Sequence, residues 1–158
     1  MSDSVVKRRP TLDEVEVMIL AAGGVLETSA SNPTTLPIVH RFTPGMYIRE
    51  IFMPAGSLLT SKIHKTEHPF VVSKGRLSVY SEVDGPLEVE APYTGITKPG
   101  TRRLLFIHED TIWTTFHATD LTDVDEIEAA IIDKRTNPLI ALAFGDPVGA
   151  LQEGEVSA

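Results

Sequence analysis

The central part of the chain alternates short apolar runs with turn-forming residues. Between residues 42 and 118 the runs are rich in β-branched and aromatic side chains, which is typical of a sandwich or barrel of about seven short strands. The turn signals between them include Lys74-Gly75 and Glu109-Asp110. The runs that predict strands are MYIREIFM, SLLTSKIH, PFVVS, RLSVYSEV, LEVEAP, RRLLFIH and TIWTTFHAT.

A helical pattern precedes this region. Thr11 and Glu14 form a capping box that opens a first helix, and Gly23-Gly24 ends it. Residues 25 to 40 contain Asn32-Pro33 and Pro37, which favour a loop. Residues 1–41 are therefore expected to form an N-terminal helix and loop.

A second helical pattern follows the central region. TDLTDVDEIEAAIIDK predicts a helix capped by Thr122. The apolar stretch NPLIALAFGD predicts either a core strand or a subunit contact, and core packing is the favoured interpretation. LQEGEVSA predicts a polar tail, so residues 119–158 would carry a helix, an apolar segment and a tail. The residues expected on the buried face of the helix are Val124, Ile127, Ile131 and Ile132.

Length and composition restrict the class of protein. With 158 residues, 42% apolar and 23% charged, the chain predicts one soluble globular domain over residues 1–158. A net charge of -8 argues against nucleic acid as a partner. The absence of cysteine excludes disulfides, thiolate zinc sites and cysteine nucleophiles. No apolar run predicts a membrane span, no signal peptide or nucleotide-cofactor motif is found, and a cytoplasmic protein is expected.

The segment IHKTEHPFVVSKG poses a specific question, because His64, Glu67 and His68 spell the H-x-x-E-H string of a zinc peptidase. That chemistry needs both histidines one turn apart on a helix. Pro69 disfavours helical backbone at the residue before it, and Phe70 begins a β-rich run. The preceding SLLTSKIH alternates like a half-buried strand. The sequence therefore favours a strand-borne site over a peptidase helix.

The same segment resembles the first motif of the cupin superfamily, G-x5-H-x-H-x3-E-x6-G. Gly56, Lys62, His64, His68 and Gly75 keep every spacing, although Lys62 replaces a histidine and His68 replaces the glutamate. Downstream, KPGTRR resembles the core of the second motif, P-x-G-x-x-H. There Gly100 matches, whereas Lys98 replaces the proline and Arg103 replaces a metal-binding histidine. The segments PGMYIREIFMPAG and IWTTFH are similar to small single-domain cupins of phages and prophages that have no assigned function.

The resemblance implies a mainly β fold, a cupin-type double-stranded β-helix or jelly-roll barrel over residues 42–118 with a helix at each end. It also implies a lumenal metal site made of three histidines and a carboxylate. Since Trp113, Thr115 and His117 alternate onto one face, His117 is a candidate to join His64 and His68. Three imidazoles suit zinc, iron, nickel, copper or manganese. A satisfied core histidine is an equally open interpretation for His117.

Several further residues are candidates for the pocket. Glu67 and Lys62 are the candidate catalytic residues, Glu67 as fourth ligand, partner of a ligand or general base, and Lys62 as a pocket cation. A surface position stays open for Lys62, a solvated strand position for His64 and a water-facing position for His68. Arg103 suits an anionic group or an acidic neighbour. The expected ligand-binding residues are Lys62, Arg103, Arg49, Tyr47 and Trp113, although sheet packing and a surface ion pair are open for Arg49 and Tyr47.

Three functions fit these residues. The first is a metal-dependent cupin enzyme of the dioxygenase, isomerase, lyase or epimerase type, acting on a small oxygenated molecule. The second is a metal-free pocket that binds or sequesters a small anion derived from a nucleotide or a sugar. The third is an oligomeric scaffold without a ligand. A homodimer is the expected assembly, and metal binding is placed slightly ahead of the metal-free pocket.

Overall fold

The computed structural model describes residues 8–24, 26, 36–135 and 137–145. The predictions for residues 1–7, for most of the loop at 25–35 and for the tail at 146–158 lie outside these ranges. Strands dominate the described part and helices lie towards both ends, which confirms the mainly β jelly-roll prediction. The elements in chain order are α1 (Leu12–Ala21), β1 (Ile38–Thr43), β2 (Met46–Met53), β3 (Leu58–Thr60), β4 (Ile63–His64), β5 (His68–Ser81), β6 (Gly85–Glu90), β7 (Tyr93–Thr97), β8 (Arg103–Ala118), α2 (Val124–Ile131), β9 (Ile132–Asp133) and α3 (Pro138–Phe144).

Two long antiparallel strands, β5 and β8, organise the sheet. The main path runs β1-β2-β8-β5-β6, while β3 pairs with β8 and β7 pairs with β5. The first part of β5 pairs with β7 and its second part pairs with β6. In the same way, β8 pairs first with β3 and then with β2. Each long strand therefore takes part in both halves of the fold, and its alternate residues face one interior.

The sequence placed turns where these two strands in fact continue. Lys74-Gly75 lies inside β5 and Glu109-Asp110 lies inside β8, so both turn predictions are wrong. The register between β5 and β8 shifts from Val72 to Leu77, which marks bulges. Gly75 has φ +99°, and a Cβ there would lie 2.7 Å from the Cα of Thr111. A bulge with a glycine at its crowded point looks like a turn in sequence because both require positive φ.

Other boundaries also differ from the sequence predictions. Strand β1 begins at Ile38, inside the segment predicted as loop, and β7 was not foreseen. SLLTSKIH divides into β3 and β4. Asp123, not Thr122, caps α2 by accepting a hydrogen bond from Glu126 N–H at 3.0 Å. Ile132 leaves the helix and starts β9, although Ile127 and Ile131 are buried as expected.

The apolar C-terminal stretch is a helix, not a strand. Asn137 caps α3 and Pro138 occupies its first turn, which is a favoured helix start. None of the helical residues of α3 is buried, and Leu142 is 82% exposed. The prediction of core packing for this stretch is therefore wrong.

The interior of the barrel is an apolar cluster, and α1 is fixed to its outside by charges. Arg102 donates to Glu16 at 2.7 Å and lies 2.8 Å from Asp13. Glu16 is almost fully buried, and Asn137 at the start of α3 donates to the backbone carbonyl of Asp13. No described helix is long and apolar enough to cross a membrane. The buried members of the barrel core are Ile51, Met53, Leu59, Phe70, Val72, Leu77, Val79, Val89, Leu105, Ile107 and Trp113.

Candidate metal centre and adjoining pocket

Three histidines from three strands meet inside the barrel. His64 lies on β4, His68 opens β5 and His117 lies near the end of β8. His68 and His117 are 3% and 2% exposed, and His64 is half-buried. His117 therefore faces inward, together with Trp113 and Thr115, as the alternation predicted. Because His64 and His68 lie on strands, the one-turn helix that a zinc peptidase requires is absent from this segment.

The strand that carries His64 is only two residues long and is held from both sides. It pairs with β9, which places His64 opposite Ile132. Next to this pair, the Lys65 N–H donates to the Ile131 carbonyl at 2.7 Å. On the other side, the Gly100 N–H donates to the His64 carbonyl at 2.9 Å. The end of α2 and the turn before β8 thus fix the position of His64 together.

The three imidazoles are close enough to bind one metal ion together. Ring centroids lie 4.3 Å apart for His64 and His68, 4.4 Å for His68 and His117, and 5.2 Å for His64 and His117. Each ring offers one nitrogen, and these nitrogens lie within 4.8 Å of one another. No other group of three or more possible ligands occurs in the described ranges. Convergence of three imidazoles is what a metal site of this type requires.

The surroundings keep the histidines neutral. Burial, the other two histidines and the charges of Arg49 and Lys62 lower the pKa of His64 to about 2. Burial, His68 and Arg49 lower the pKa of His117 to about 3. Burial also lowers the pKa of His68, with a smaller opposite effect from its hydrogen bond to Thr66. At neutral pH each ring therefore keeps a lone pair on one nitrogen, the form in which imidazole binds a metal.

The hydrogen bonds indicate which nitrogens are available. His68 Nδ1 lies 3.2 Å from the Thr66 carbonyl, so its Nδ1–H donates there and Nε2 carries the lone pair. His117 Nε2 lies 2.9 Å from the Thr115 hydroxyl oxygen. His117 Nδ1 is fully buried and has no hydrogen-bond partner among the described residues. A buried polar atom without a partner is costly, and a metal ion would satisfy this one.

A pocket lies beside the histidines and combines cations with an apolar wall. Its empty space is about 460 Å³, counting the part open to solvent. Lys62 at the pocket pairs with Glu128 of α2 at 2.7 Å. The lining residues are Arg49, Ile51, Met53, Ser61, Lys62, His64, His68, Thr97, Arg103, Leu105, Trp113 and Thr115.

Arg103 also lines the pocket, in a different environment from that of Lys62. Its guanidinium donates to the Thr97 hydroxyl at 2.9 Å and lies 5.3 Å from the ring centre of Phe70 and 5.9 Å from that of Trp113. It forms no ion pair with a carboxylate in the part of the chain that the structure describes. Burial lowers its pKa, although an arginine stays charged at any physiological pH.

The structure brings most sequence-predicted site residues together. His64, His68, Lys62, Arg49, Arg103 and Trp113 all line the pocket, and His117 completes the histidine cluster. Tyr47 packs behind His117 instead of lining the pocket. Glu67 does not line it either, because its half-exposed carboxylate pairs with Lys98 at 2.6 Å.

Two residues that contact the predicted site residues Lys62 and Tyr47 could not be identified from sequence. Glu128 carries no motif, and only the packing of α2 brings it to Lys62. His40 fits no recognisable pattern, yet its Nδ1 lies 2.5 Å from the Tyr47 hydroxyl. The alternation of β8 did carry a signal for Thr115, since it places this residue on the face of His117.

Comparison with known proteins supports the fold. No family model matches the chain, and no curated protein resembles it significantly in sequence. Salicylate 1,2-dioxygenase from Pseudaminobacter salicylatoxidans is similar in structure, with a TM-score of 0.51 and 11% identity over 77% of this chain and 36% of that chain. A cupin-2 domain protein from Shewanella frigidimarina has a TM-score of 0.42 and 12% identity over 51% of this chain and 80% of that chain. Acetylacetone dioxygenase from Acinetobacter johnsonii has a TM-score of 0.44 and 18% identity over 52% of this chain and 59% of that chain.

The chain has the cupin fold. It spans little more than a third of the salicylate dioxygenase chain, and the shared identity is low. The likeness is therefore one of fold, and the activity of this chain has to be argued from its own residues.

Proposed function

We propose that the protein binds one divalent transition metal ion through His64, His68 and His117, and a small anionic, oxygen-containing molecule beside it. The observation that carries the proposal is the convergence of three neutral imidazoles, two buried and one half-buried, one of which has a nitrogen without a partner among the described residues. A bound ion would act as a Lewis acid on an oxygen atom of that molecule. Zinc, iron, nickel and manganese are the candidates, since nitrogen ligands alone do not select among them.

The charge of the site favours an anion as the second ligand. The histidine cluster contains no carboxylate, so an ion held there would keep its double positive charge. The side chains of Arg49 and Arg103 add positive charge to the same pocket, and Lys62 adds less because Glu128 pairs with it. A carboxylate, phosphate or enolate oxygen would balance this charge in a partly water-excluded space.

Each pocket residue then has a role that follows from its contacts. Lys62 and Arg49 line the pocket next to His64, and both orient the anionic group there. Trp113 and Leu105 form the apolar wall and exclude water. Glu67 has no part in this proposal because its carboxylate is paired with Lys98 outside the pocket.

A metal-free anion pocket is the second candidate function. It is favoured by the same three cations, because positive charge near the histidines opposes the binding of a metal cation as well as of protons. In that case the neutral imidazoles would donate or accept hydrogen bonds to a nucleotide-derived or sugar-derived anion.

Metal content decides between the two candidates. Tag-free protein purified without chelator is analysed by elemental mass spectrometry, before and after incubation with zinc, iron, nickel or manganese and gel filtration. We expect about one equivalent of metal in the wild type and little in His64→Ala or His117→Ala. His108→Ala is the matched control, since His108 contacts Ser78 and Glu88 away from the cluster.

The outcomes lead to different next steps. A metal that is lost in both cluster variants and kept in the control supports the proposal and leads to oxygen-uptake and isomerase assays. If the wild type retains none of the four metals, the proposal of a metal centre is wrong. Anion binding tested with Lys62→Gln and Arg49→Gln would then decide the second candidate.

A further inference from the structure

A second cavity lies on the other side of Arg103 and Trp113. It has about 570 Å³ of empty space, part of it open to solvent, between strands β5, β6, β7 and β8. Its walls are mainly aromatic and aliphatic, and Arg103 is its positively charged member. The residues that define it are Phe70, Val79, Val89, Tyr93, Arg103 and Trp113. None of the three histidines lines it.

Arg103 lines both cavities, and its guanidinium has few polar contacts. Within the described ranges it has one hydroxyl partner, Thr97, and two aromatic rings. The carboxylate of Asp84 acts on it only from beyond ion-pair distance. Lys62, another cation of the first pocket, already has Glu128 as its partner. A guanidinium has five N–H donors, and a half-buried one with no carboxylate at ion-pair distance favours a bidentate anion such as a carboxylate.

The walls around Arg103 define the rest of the ligand. Phe70, Val79 and Val89 are buried and apolar, and Tyr93 is half-buried with its ring 6.0 Å from that of Phe70. Such a surface suits an aromatic or branched aliphatic group and offers little to a sugar or a phosphate ester.

We propose that the second cavity binds an apolar monocarboxylate, with its carboxylate on Arg103 and its hydrocarbon body against Phe70, Val79 and Val89. This site goes beyond the metal centre and does not depend on it, because the cavity shares Arg103 and Trp113 with the first pocket but contains none of the histidines.

Asp84 restricts the charge of the ligand. It lies on the lining of the same cavity, exposed, in the turn between β5 and β6, where its N–H donates to the Ser81 hydroxyl. A second carboxylate on the ligand would meet this negative charge on the way to solvent. The cavity is therefore expected to prefer a monocarboxylate over a dicarboxylate of similar shape.

The test uses 3-phenylpropionate as probe and isothermal titration calorimetry on the full chain, treated with chelator so that no metal is present. We expect saturable binding of 3-phenylpropionate, on the order of tenfold weaker binding of phenylsuccinate, and no measurable binding of the neutral 3-phenylpropionamide. Asp84→Asn should reduce the difference between the two acids. Absence of 3-phenylpropionate binding, or equal binding of the amide, would overturn the proposal.

Two variants locate the probe. Leu87→Trp places a bulky indole ring at the partly exposed edge of the cavity without changing a buried position. Arg103→Gln removes the positive charge of the guanidinium. Each should weaken binding by about tenfold or more. Arg76→Gln, which removes an exposed arginine elsewhere on β5, should leave it unchanged.

His64→Ala separates this proposal from the metal centre. It should lose the metal and keep the affinity for 3-phenylpropionate. If His64→Ala abolishes probe binding and Leu87→Trp does not, the acid occupies the histidine pocket and the second site is wrong. Because Leu87→Trp alters only a half-exposed residue, this comparison stays informative even if Arg103→Gln fails to fold.

Discussion

Tyr47 lies against His117, with their ring centroids 5.7 Å apart and their planes 26° from parallel. The Tyr47 ring is itself buried, and its hydroxyl reaches the exposed His40. Burial raises the pKa of Tyr47 to about 12, so the phenol keeps its proton at all physiological pH values. Tyr47 therefore supports His117 by stacking its neutral aromatic ring against the imidazole.

This contact predicts different effects for two substitutions of Tyr47. Tyr47→Phe keeps the ring against His117 and should cost about 1 kcal/mol of unfolding free energy for the lost hydrogen bond. Tyr47→Ala leaves a cavity beside His117 and should cost about 3–5 kcal/mol. Zinc affinity, measured with a competing chelator, should stay within about twofold in Tyr47→Phe and fall about tenfold or more in Tyr47→Ala. Equal loss of affinity in both variants would show that the hydroxyl matters instead.

The histidine cluster predicts that the metal-free protein loses stability in mild acid. An unfolded histidine takes up a proton near pH 6.5, whereas the folded His64 and His117 do so only near pH 2 and 3. The unfolded state therefore binds more protons as the pH falls below 6.5. The free energy of unfolding should drop by roughly 1.4 kcal/mol per pH unit for each such histidine.

Urea unfolding between pH 7.5 and 5.5 tests this linkage. His64→Gln removes one histidine of the cluster. The free energy of unfolding should then fall less steeply with pH, by the contribution of one histidine. Identical slopes in the wild type and in His64→Gln would contradict the burial of a neutral His64 in the folded state.

The bulge in β5 predicts that one glycine is far more sensitive than another. At Gly75, positive φ coincides with crowding against Thr111 and the Asp110 carbonyl. Gly85 also has positive φ, +74°, but nothing lies within 4 Å of an added Cβ. Gly75→Ala should therefore cost about 3 kcal/mol or more, and Gly85→Ala about 1 kcal/mol. Thermal and urea unfolding measure both, and similar losses would place the bulge in doubt.

The packing of α2 predicts that a residue far from any ligand affects metal binding. Ile127 is fully buried against Tyr47, and α2 leads directly into the strand that pairs with His64. Ile127→Ala should cost about 2–5 kcal/mol and weaken zinc binding, because β4 loses the support of β9. Ile19→Ala in α1 is the matched control. It should destabilise the protein by a similar amount and leave zinc affinity unchanged, and reduced affinity in both variants would reveal a merely global effect.

The sequence alone determined the β-rich centre and the strand character of the His64–His68 segment. Alternation along a strand is a local property, so it also placed Trp113, Thr115 and His117 on one face. The capping box of α1 was equally local and is confirmed. These features depend on backbone preferences and side-chain periods that a few neighbouring residues fix.

The tertiary structure decided what no local pattern contains. Lys74-Gly75 predicts a turn, but pairing with β8 continues the strand through these residues, which form a bulge. Ile132 fits a helical face, but pairing with His64 draws it into β9. The pairing of Lys62 with Glu128 and the position of Arg103 between Thr97, Phe70 and Trp113 depend on which distant segments pack together. Long-range pairing overrides local preference here because each backbone hydrogen bond and buried side chain outweighs the small difference in intrinsic propensity.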